Sequence, residues 1–277
     1  MASQGEHSAH YRQDGLEAAL LAALTAAGKD VDHLRPDDLA GADEFHIGGA
    51  MATRELAGQL DLRPGMRLLD IGSGLGGPAR HLAAAHGCRV TGIDLTEGFV
   101  AIANGLTRRM GMEDAVAFRL ANADRLEFDD ASFDGVLLLH VGMNIADKAG
   151  AFAAVHRVLK PGGFFAVYDI MRVGAGELVF PLPWATGPGT SFVVAPDAYR
   201  AALVAAGFTV APERDRSAAA VAFFAAQQAR RERGEAAPLG LGMVMGASAP
   251  QKLGNVAGLI RQGVLAPVEM IARKAAA

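Results

Sequence analysis

Hydrophobic and polar positions along this chain follow two rhythms. Residues 16–27 carry apolar side chains at helical spacing, and the run breaks at Gly28. A polar stretch, 29–44, leads to a second helical run at 48–60 and to the turn Arg63-Pro64-Gly65. Short apolar bursts then alternate with helical segments. The bursts at 67–71, 89–94, 116–120, 133–140 and 164–171 read as strands buried on both faces. Helical patterns at 77–86, 96–110 and 148–159 connect them, and Lys160-Pro161-Gly162-Gly163 reads as a tight turn before the fifth strand. Such alternation predicts right-handed crossovers and a doubly wound parallel sheet.

The last third has a different texture. Residues 172–194 are rich in Gly and Pro and hold the only tryptophan, Trp184. A helix is predicted at 196–206, opened by Pro196 and stopped by Gly207. A short strand at 208–211, helices at 217–234 and 248–263, and a final strand at 265–273 complete seven strands. Capping pieces at the N-terminus, 172–194 and 216–263 on one sheet explain the pattern better than a second domain.

Composition removes several classes of partner. The chain has 277 residues, 51% of them apolar, which is ample for a packed core. Twenty-six Lys+Arg against 30 Asp+Glu give a net charge of −4, so no global attraction draws the chain to nucleic acid or an anionic membrane. The cluster Arg230-Arg231-Glu232-Arg233 reads as a solvated helix face. Cys88 is the only cysteine and forms no internal disulfide. No apolar leader opens the sequence, and 16–27 is shorter than the roughly 20 residues a bilayer requires, so a cytoplasmic location is expected. The eight histidines are scattered without zinc-site spacing, and no metal is expected.

The densest chemistry lies in Leu69-Asp70-Ile71-Gly72-Ser73-Gly74-Leu75-Gly76-Gly77. Gly72, Gly74 and Gly77 spell G-x-G-x-x-G between a strand and a helix, and Asp94 ends the next strand, so an NAD-linked oxidoreductase is one reading. Asp70 opposes it, because a carboxylate there would sit close to a pyrophosphate. Gly76 adds a further close-approach point. More site-like residues follow the third and fourth strands than a dinucleotide half-site requires.

These residues resemble the class I S-adenosylmethionine-dependent methyltransferases of the methyltransferase-11 type. The stretches LLDIGSGLGGPARHLA, VTGIDLT, ANADRLEFDDASFDGVLLLH and RVLKPGGFFAVYD arrive in the family's order. The flanks, FHIGGAMATRELA upstream and FPLPWA with SFVVAPDAYRAALVAAGF downstream, look like bacterial small-molecule methyltransferases of the sarcosine/dimethylglycine and quinone-ring kinds. The resemblance implies an α/β fold: a doubly wound, Rossmann-like seven-stranded sheet, mostly parallel with the last strand antiparallel, plus a helical cap. It divides the chain into an N-terminal helical lid (1–60), an S-adenosylmethionine-binding core (61–171) and an acceptor cap carrying the last two strands (172–277). It implies that Gly72, Ser73, Gly74 and Gly76 let the backbone approach the methionine part and ribose, that Asp70 orients the amino group, and that Asp94 accepts the ribose hydroxyls. Leu95 would pack on the adenine, Ala123 and Asp124 would read its amino edge, and His140 would lie beside the methyl group. The physical chemistry agrees: the cofactor is a phosphate-free cation and suits acidic strand ends.

Methyl transfer from S-adenosylmethionine, with S-adenosylhomocysteine as product, is in-line attack on an already activated carbon, so the protein mainly positions the acceptor and excludes water. A base, if used, should lie near the methyl group and titrate near neutrality. His140, His46 and Tyr11 are the candidates. The acceptor, a small molecule, is expected against Phe180, Trp184 and Phe192, with Met-bearing surface from 242–246. Arg172 and Glu177 leave a carboxylate- or amine-bearing acceptor open. A homodimer is compatible with the sequence. A catalytically silent binding protein on the same fold stands as the remaining alternative.

Overall fold

The computed structural model describes residues 15–235 and 239–276. Three helices, α1 (Leu16–Ala26), α2 (Pro36–Leu39) and α3 (Gly49–Ala57), precede the sheet. Then come β1 (Arg67–Ile71), α4 (Gly77–His86), β2 (Arg89–Asp94), α5 (Glu97–Arg109), β3 (Val116–Leu120), β4 (Phe133–Leu139), α6 (Lys148–Val158) and β5 (Leu159–Arg172). The remainder is α7 (Pro196–Ala205), β6 (Phe208–Val210), β7 (Arg214–Asp215), α8 (Ser217–Glu232), α9 (Gly242–Met245), α10 (Ala249–Arg261) and β8 (Leu265–Lys274).

The sheet runs β3-β2-β1-β4-β5-β8-β6, with β7 beside β8. Strands β1 to β5 pair in parallel, and β8 lies antiparallel to β5, β6 and β7. This is the expected doubly wound α/β sheet, with one strand more than the expected seven. Strand β7 is two exposed residues, Arg214 and Asp215, with no apolar burst to announce it. The predicted turn at Lys160–Gly163 is an excursion within β5: Leu159 pairs with Phe133, and pairing resumes with Phe164 opposite Gly135.

Strand alternation sorts the core onto two faces. Leu69, Val136, Leu138, Phe165 and Val167 face one way and pack with Phe152, Val155 and Leu203 of α6 and α7. Leu68, Leu137, Leu139, Phe164 and Ala166 face the other and meet Leu56, Leu82 and Ala103 of α3, α4 and α5. Both faces are covered, which explains why these strands read as continuous apolar runs. Helix α1 is buried at Leu16, Leu20 and Leu24, four residues apart, against Phe99, Ile102 and Leu106 of α5. No described helix is long and apolar enough to cross a membrane.

Candidate active site

The carboxyl ends of β1, β2 and β4 open into a cavity of about 440 Å³, where an open α/β sheet ordinarily binds ligands. Gly72 and Gly74 reach it from the β1–α4 loop, Asp94 and Leu95 from β2, Ala123 and Asp124 from beyond β3, and His140 from β4. All seven were singled out by the sequence, and the fold brings them together.

The glycine loop is shaped by close packing. Gly72 and Gly74 hold φ of 72° and 52°, a left-handed region costly for other residues. A Cβ at Gly72 would overlap the Val141 side chain, and one at Gly74 would meet the Phe45 ring at 3.0 Å. Gly76 is tight for a different reason from the one expected. Its missing Cβ makes room for the Phe118 ring and the Arg80 guanidinium, and Gly76 does not line the cavity. Its place is in the core behind the loop.

Asp94 is fixed by its own backbone neighbourhood. Its Oδ2 accepts the Gly74 N–H at 2.9 Å and its Oδ1 the Thr96 N–H at 2.9 Å. Burial nevertheless raises its pKa. Asp70 and Ser73 sit just behind the lining. Asp70 Oδ2 and Ser73 Oγ are buried with no hydrogen-bond partner. Burial, and then the charge of Asp94, push the Asp70 carboxyl up to about 7. Two carboxylates and an orphaned hydroxyl beside a glycine cradle suit a hydrogen-bonding cation. Asp94 and Asp124 are the only formally charged side chains along the cavity among the described residues. A pyrophosphate would find no lysine or arginine there.

His140 occupies an unusual backbone position, with φ of 55°. Its Nδ1–H donates to the Tyr168 carbonyl at 3.1 Å, since a carbonyl only accepts. Its Nε2 therefore carries a lone pair, which accepts the Ile47 N–H at 3.3 Å. Tyr168 Oη–H closes the circuit by donating to the Ile47 carbonyl at 2.9 Å. Both ring nitrogens are thus occupied in holding the segment before α3 against the sheet.

His46 lies beside it, ring centroids 6.0 Å apart. Its Nε2–H points to the Gly49 carbonyl at 3.1 Å and to Thr53 Oγ at 3.0 Å. Nδ1 is left as the acceptor nitrogen, with no partner among the described residues, and the residue lines the cavity. Neither imidazole titrates near neutrality, as a base was expected to. Burial pulls His46 down to about 4; burial, with His46 nearby, pulls His140 down to about 3. The imidazolium loses its water in both places.

The same segment is pinned from behind. Arg80 Nη2 donates to Asp43 Oδ2 at 2.9 Å, both side chains fully buried, and to the Leu75 carbonyl. The ion pair ties the residues just before His46 to α4 and the glycine loop.

The expected acceptor residues divide. Trp184 and Phe192 line the cavity, with Trp184 Nε1–H donating to Ser191 Oγ at 3.0 Å. Phe180 does not; it packs in the cluster around Leu182, Ile170 and Ile260. Arg172 does not either, because its guanidinium donates to the Gly176 carbonyl at the end of β5. Glu177 is exposed and away from the cavity. Met245, from the Met-bearing segment, does line it. Tyr11 lies outside the described residues. Sequence reasoning missed Phe45, Asn144, Phe223 and Phe224, all of which line the cavity. Asn144 left one faint signal, a lone amide in the apolar stretch after β4.

Residues 69–167 match the family described as "Methyltransferase domain". The chain is 40% identical over 158 residues to 27-O-demethylrifamycin SV methyltransferase of Amycolatopsis mediterranei, covering 56% of this chain and 58% of that one. It is 36% identical over 114 residues to sterol 24-C-methyltransferase ERG6B of Gibberella zeae, covering 41% and 30%. The match spans less than two thirds of either relative's length. Among solved structures, geranyl diphosphate C-methyltransferase of Streptomyces coelicolor A3(2) shares the fold at a TM-score of 0.72 and 15% identity, covering 99% of this chain and 98% of that one. The 4+2 cyclase SpnF shares it at a TM-score of 0.66 and 24% identity, covering 95% of each. The residues that match this family, 69–167, carry the glycine loop, both acidic strand ends and His140.

Proposed function

We propose that the protein transfers a methyl group from S-adenosylmethionine to a small-molecule acceptor and releases S-adenosylhomocysteine. The observation that carries this reading is the buried Asp70 carboxyl and the half-buried Asp94 carboxylate beside the glycine cradle of a cavity that no cationic side chain lines among the described residues. The match of residues 69–167 to the methyltransferase domain family supports it. When bound, S-adenosylmethionine supplies a sulfonium-activated methyl group open to in-line attack. Asp94 would accept the ribose hydroxyls while its existing backbone bonds keep the carboxylate aimed. Asp70 would face the amino group, and Leu95, Ala123 and Asp124 would bound the adenine. His140 is a positioning residue that fixes Ile47. His46 Nδ1 is the free acceptor nitrogen for a proton of the methyl acceptor.

Calorimetry separates this reading from the NAD-linked one. S-adenosylhomocysteine should bind and NAD should not. Asp94→Ala should weaken S-adenosylhomocysteine on the order of a hundredfold, since two hydrogen bonds to a charged group are removed. Binding of NAD without S-adenosylhomocysteine would overturn the proposal. A 4+2 cyclase shares this fold, so methyl transfer to a panel of phenols, amines and enols is the second required result. A protein that binds the cofactor and methylates nothing would be the silent alternative.

A further inference from the structure

Beyond His140 the cavity changes character. Met143, Ile170, Trp184, Phe192, Phe223 and Phe224 wall this part, and most of them belong to one apolar cluster that also includes Ile47 and Val256. Among the described residues, no carboxylate or cationic side chain lines it. Three described cations close by in sequence or packing are bonded elsewhere or lie off the lining. Lys148 Nζ donates to the Ile145 and Phe192 carbonyls at 2.9 and 2.7 Å. Arg172 donates to the Gly176 carbonyl. Lys252 is buried on α10 one turn before Val256, but it does not line the cavity.

Besides the His46 Nδ1 lone pair, one described side chain faces the cavity here with both donor and acceptor capacity unspent, the Asn144 carboxamide. Asn144 closes the short 3-10 turn Gly142–Asn144 that follows His140. Its backbone N–H is spent on the Val141 carbonyl at 2.9 Å. Its carboxamide has no partner among the described residues and lines the cavity. The turn beneath it is rigid. The Met143 carbonyl accepts the Phe192 N–H at 2.8 Å, and a Cβ at Gly142 would overlap Asp169 and Tyr199, which share a 2.6 Å hydrogen bond. The turn that carries Asn144 is thus packed against the buried Asp169–Tyr199 pair and bonded to the Phe192 segment.

We propose that the acceptor is an uncharged, predominantly apolar molecule whose hydroxyl or carbonyl group is held by the Asn144 carboxamide, and that acceptors bearing phosphate or carboxylate are excluded. This rests on the methyltransferase reading, because it assigns the Asp94 end of the cavity to the cofactor. Exclusion follows from solvation. A phosphate or carboxylate entering an apolar wall with no cation to meet it loses its water and gains no partner. An apolar ring loses nothing of the kind and gains burial. A hydroxyl matches an amide that both donates and accepts. Asn144 is therefore a specificity-determining residue, and the apolar wall supplies the affinity.

The test uses the full chain saturated with S-adenosylhomocysteine and four ligands sharing one ring system: naphthalene, 2-naphthol, 2-naphthyl phosphate and 2-naphthoate. Calorimetry should show 2-naphthol binding at least tenfold more tightly than the phosphate and the carboxylate. Asn144→Ala should weaken 2-naphthol by about tenfold, the value of one neutral hydrogen bond at the upper end of its range. It should leave naphthalene and S-adenosylhomocysteine unchanged. Asn144→Gln, which keeps the amide, should retain part of the preference for 2-naphthol over naphthalene. Equal or tighter binding of either anion would overturn the proposal. So would an equal loss of naphthalene and 2-naphthol in Asn144→Ala, or no binding of 2-naphthol to the loaded wild-type chain. Failure to load with S-adenosylhomocysteine at the outset would instead sink the methyltransferase reading itself.

Discussion

Two residue types at the site have left their usual titration ranges, in opposite senses for stability. Asp70 is raised by burial and by Asp94 to about 7, from an ordinary value of 3.8. Between those two values the folded chain holds a proton that the unfolded chain releases. Stability attributable to Asp70 therefore falls as pH rises from about 4 to 7 and stays lost above. Asp70→Asn should raise Tm at pH 8 and change it little at pH 4, while weakening S-adenosylhomocysteine at both; a lower Tm at pH 8 would contradict the assignment. His46 and His140 are depressed by burial to about 4 and about 3, against an ordinary 6.5. Their contribution is present above pH 6.5 and is lost as pH falls through the folded values. The two histidines should also separate kinetically. His46→Ala should lower kcat by about 10²-fold or more with little change in S-adenosylhomocysteine affinity, as for a group that receives a proton. His140→Ala frees Ile47, so it should raise KM and loosen the amide of Ile47 in hydrogen exchange. Equal kcat in wild type and His46→Ala would leave positioning alone as the source of rate.

At the scale of elements, the loop-to-helix junction of α4 is where the chain depends on one side chain. Arg80 is fully buried and bridges Asp43, the Leu75 carbonyl and Thr107 of α5, the last at 3.2 Å. Replacing it with an apolar residue leaves the Asp43 carboxylate buried and unpaired. Arg80→Met should cost about 3–5 kcal/mol in urea unfolding, and adding Asp43→Asn should recover part of that. A loss within about 1 kcal/mol would mean that the pair does not hold the segment. The elements were largely legible beforehand. Strands β1 to β5 announced themselves through apolar bursts, because a sheet covered on both faces needs apolar residues at successive positions. Helix α4 was legible from Pro78 near its start and Gly87 at its end. Strand β7 and the helices α2 and α9 were not, since two to four residues held by neighbouring strands and loops carry no period of their own.

For the molecule as a whole, the segment before α3, the sheet ends and the C-terminal helices meet around the cavity, so ligand binding should stabilise the entire chain. S-adenosylhomocysteine at 100 times its Kd should add about 2.7 kcal/mol, which for a chain of this size is roughly 5–10 °C in Tm. NAD at the same concentration should give no shift. A local loosening without a change in Tm would show that the cavity does not couple these parts. The sequence by itself determined the winding of the sheet, the glycine loop and the acidic strand ends, because hydrophobic period and left-handed backbone are local demands that neighbouring residues must meet together. Only the tertiary structure decided which side chains face the cavity and in what protonation state. Ile47 and His140 are 93 residues apart in sequence and share a hydrogen bond. Arg172 and Phe180 turned away from the cavity, while Asn144, Phe45, Phe223 and Phe224 turned toward it. Convergence of distant segments and exclusion of water set those outcomes, and neither is encoded within any one stretch of the chain.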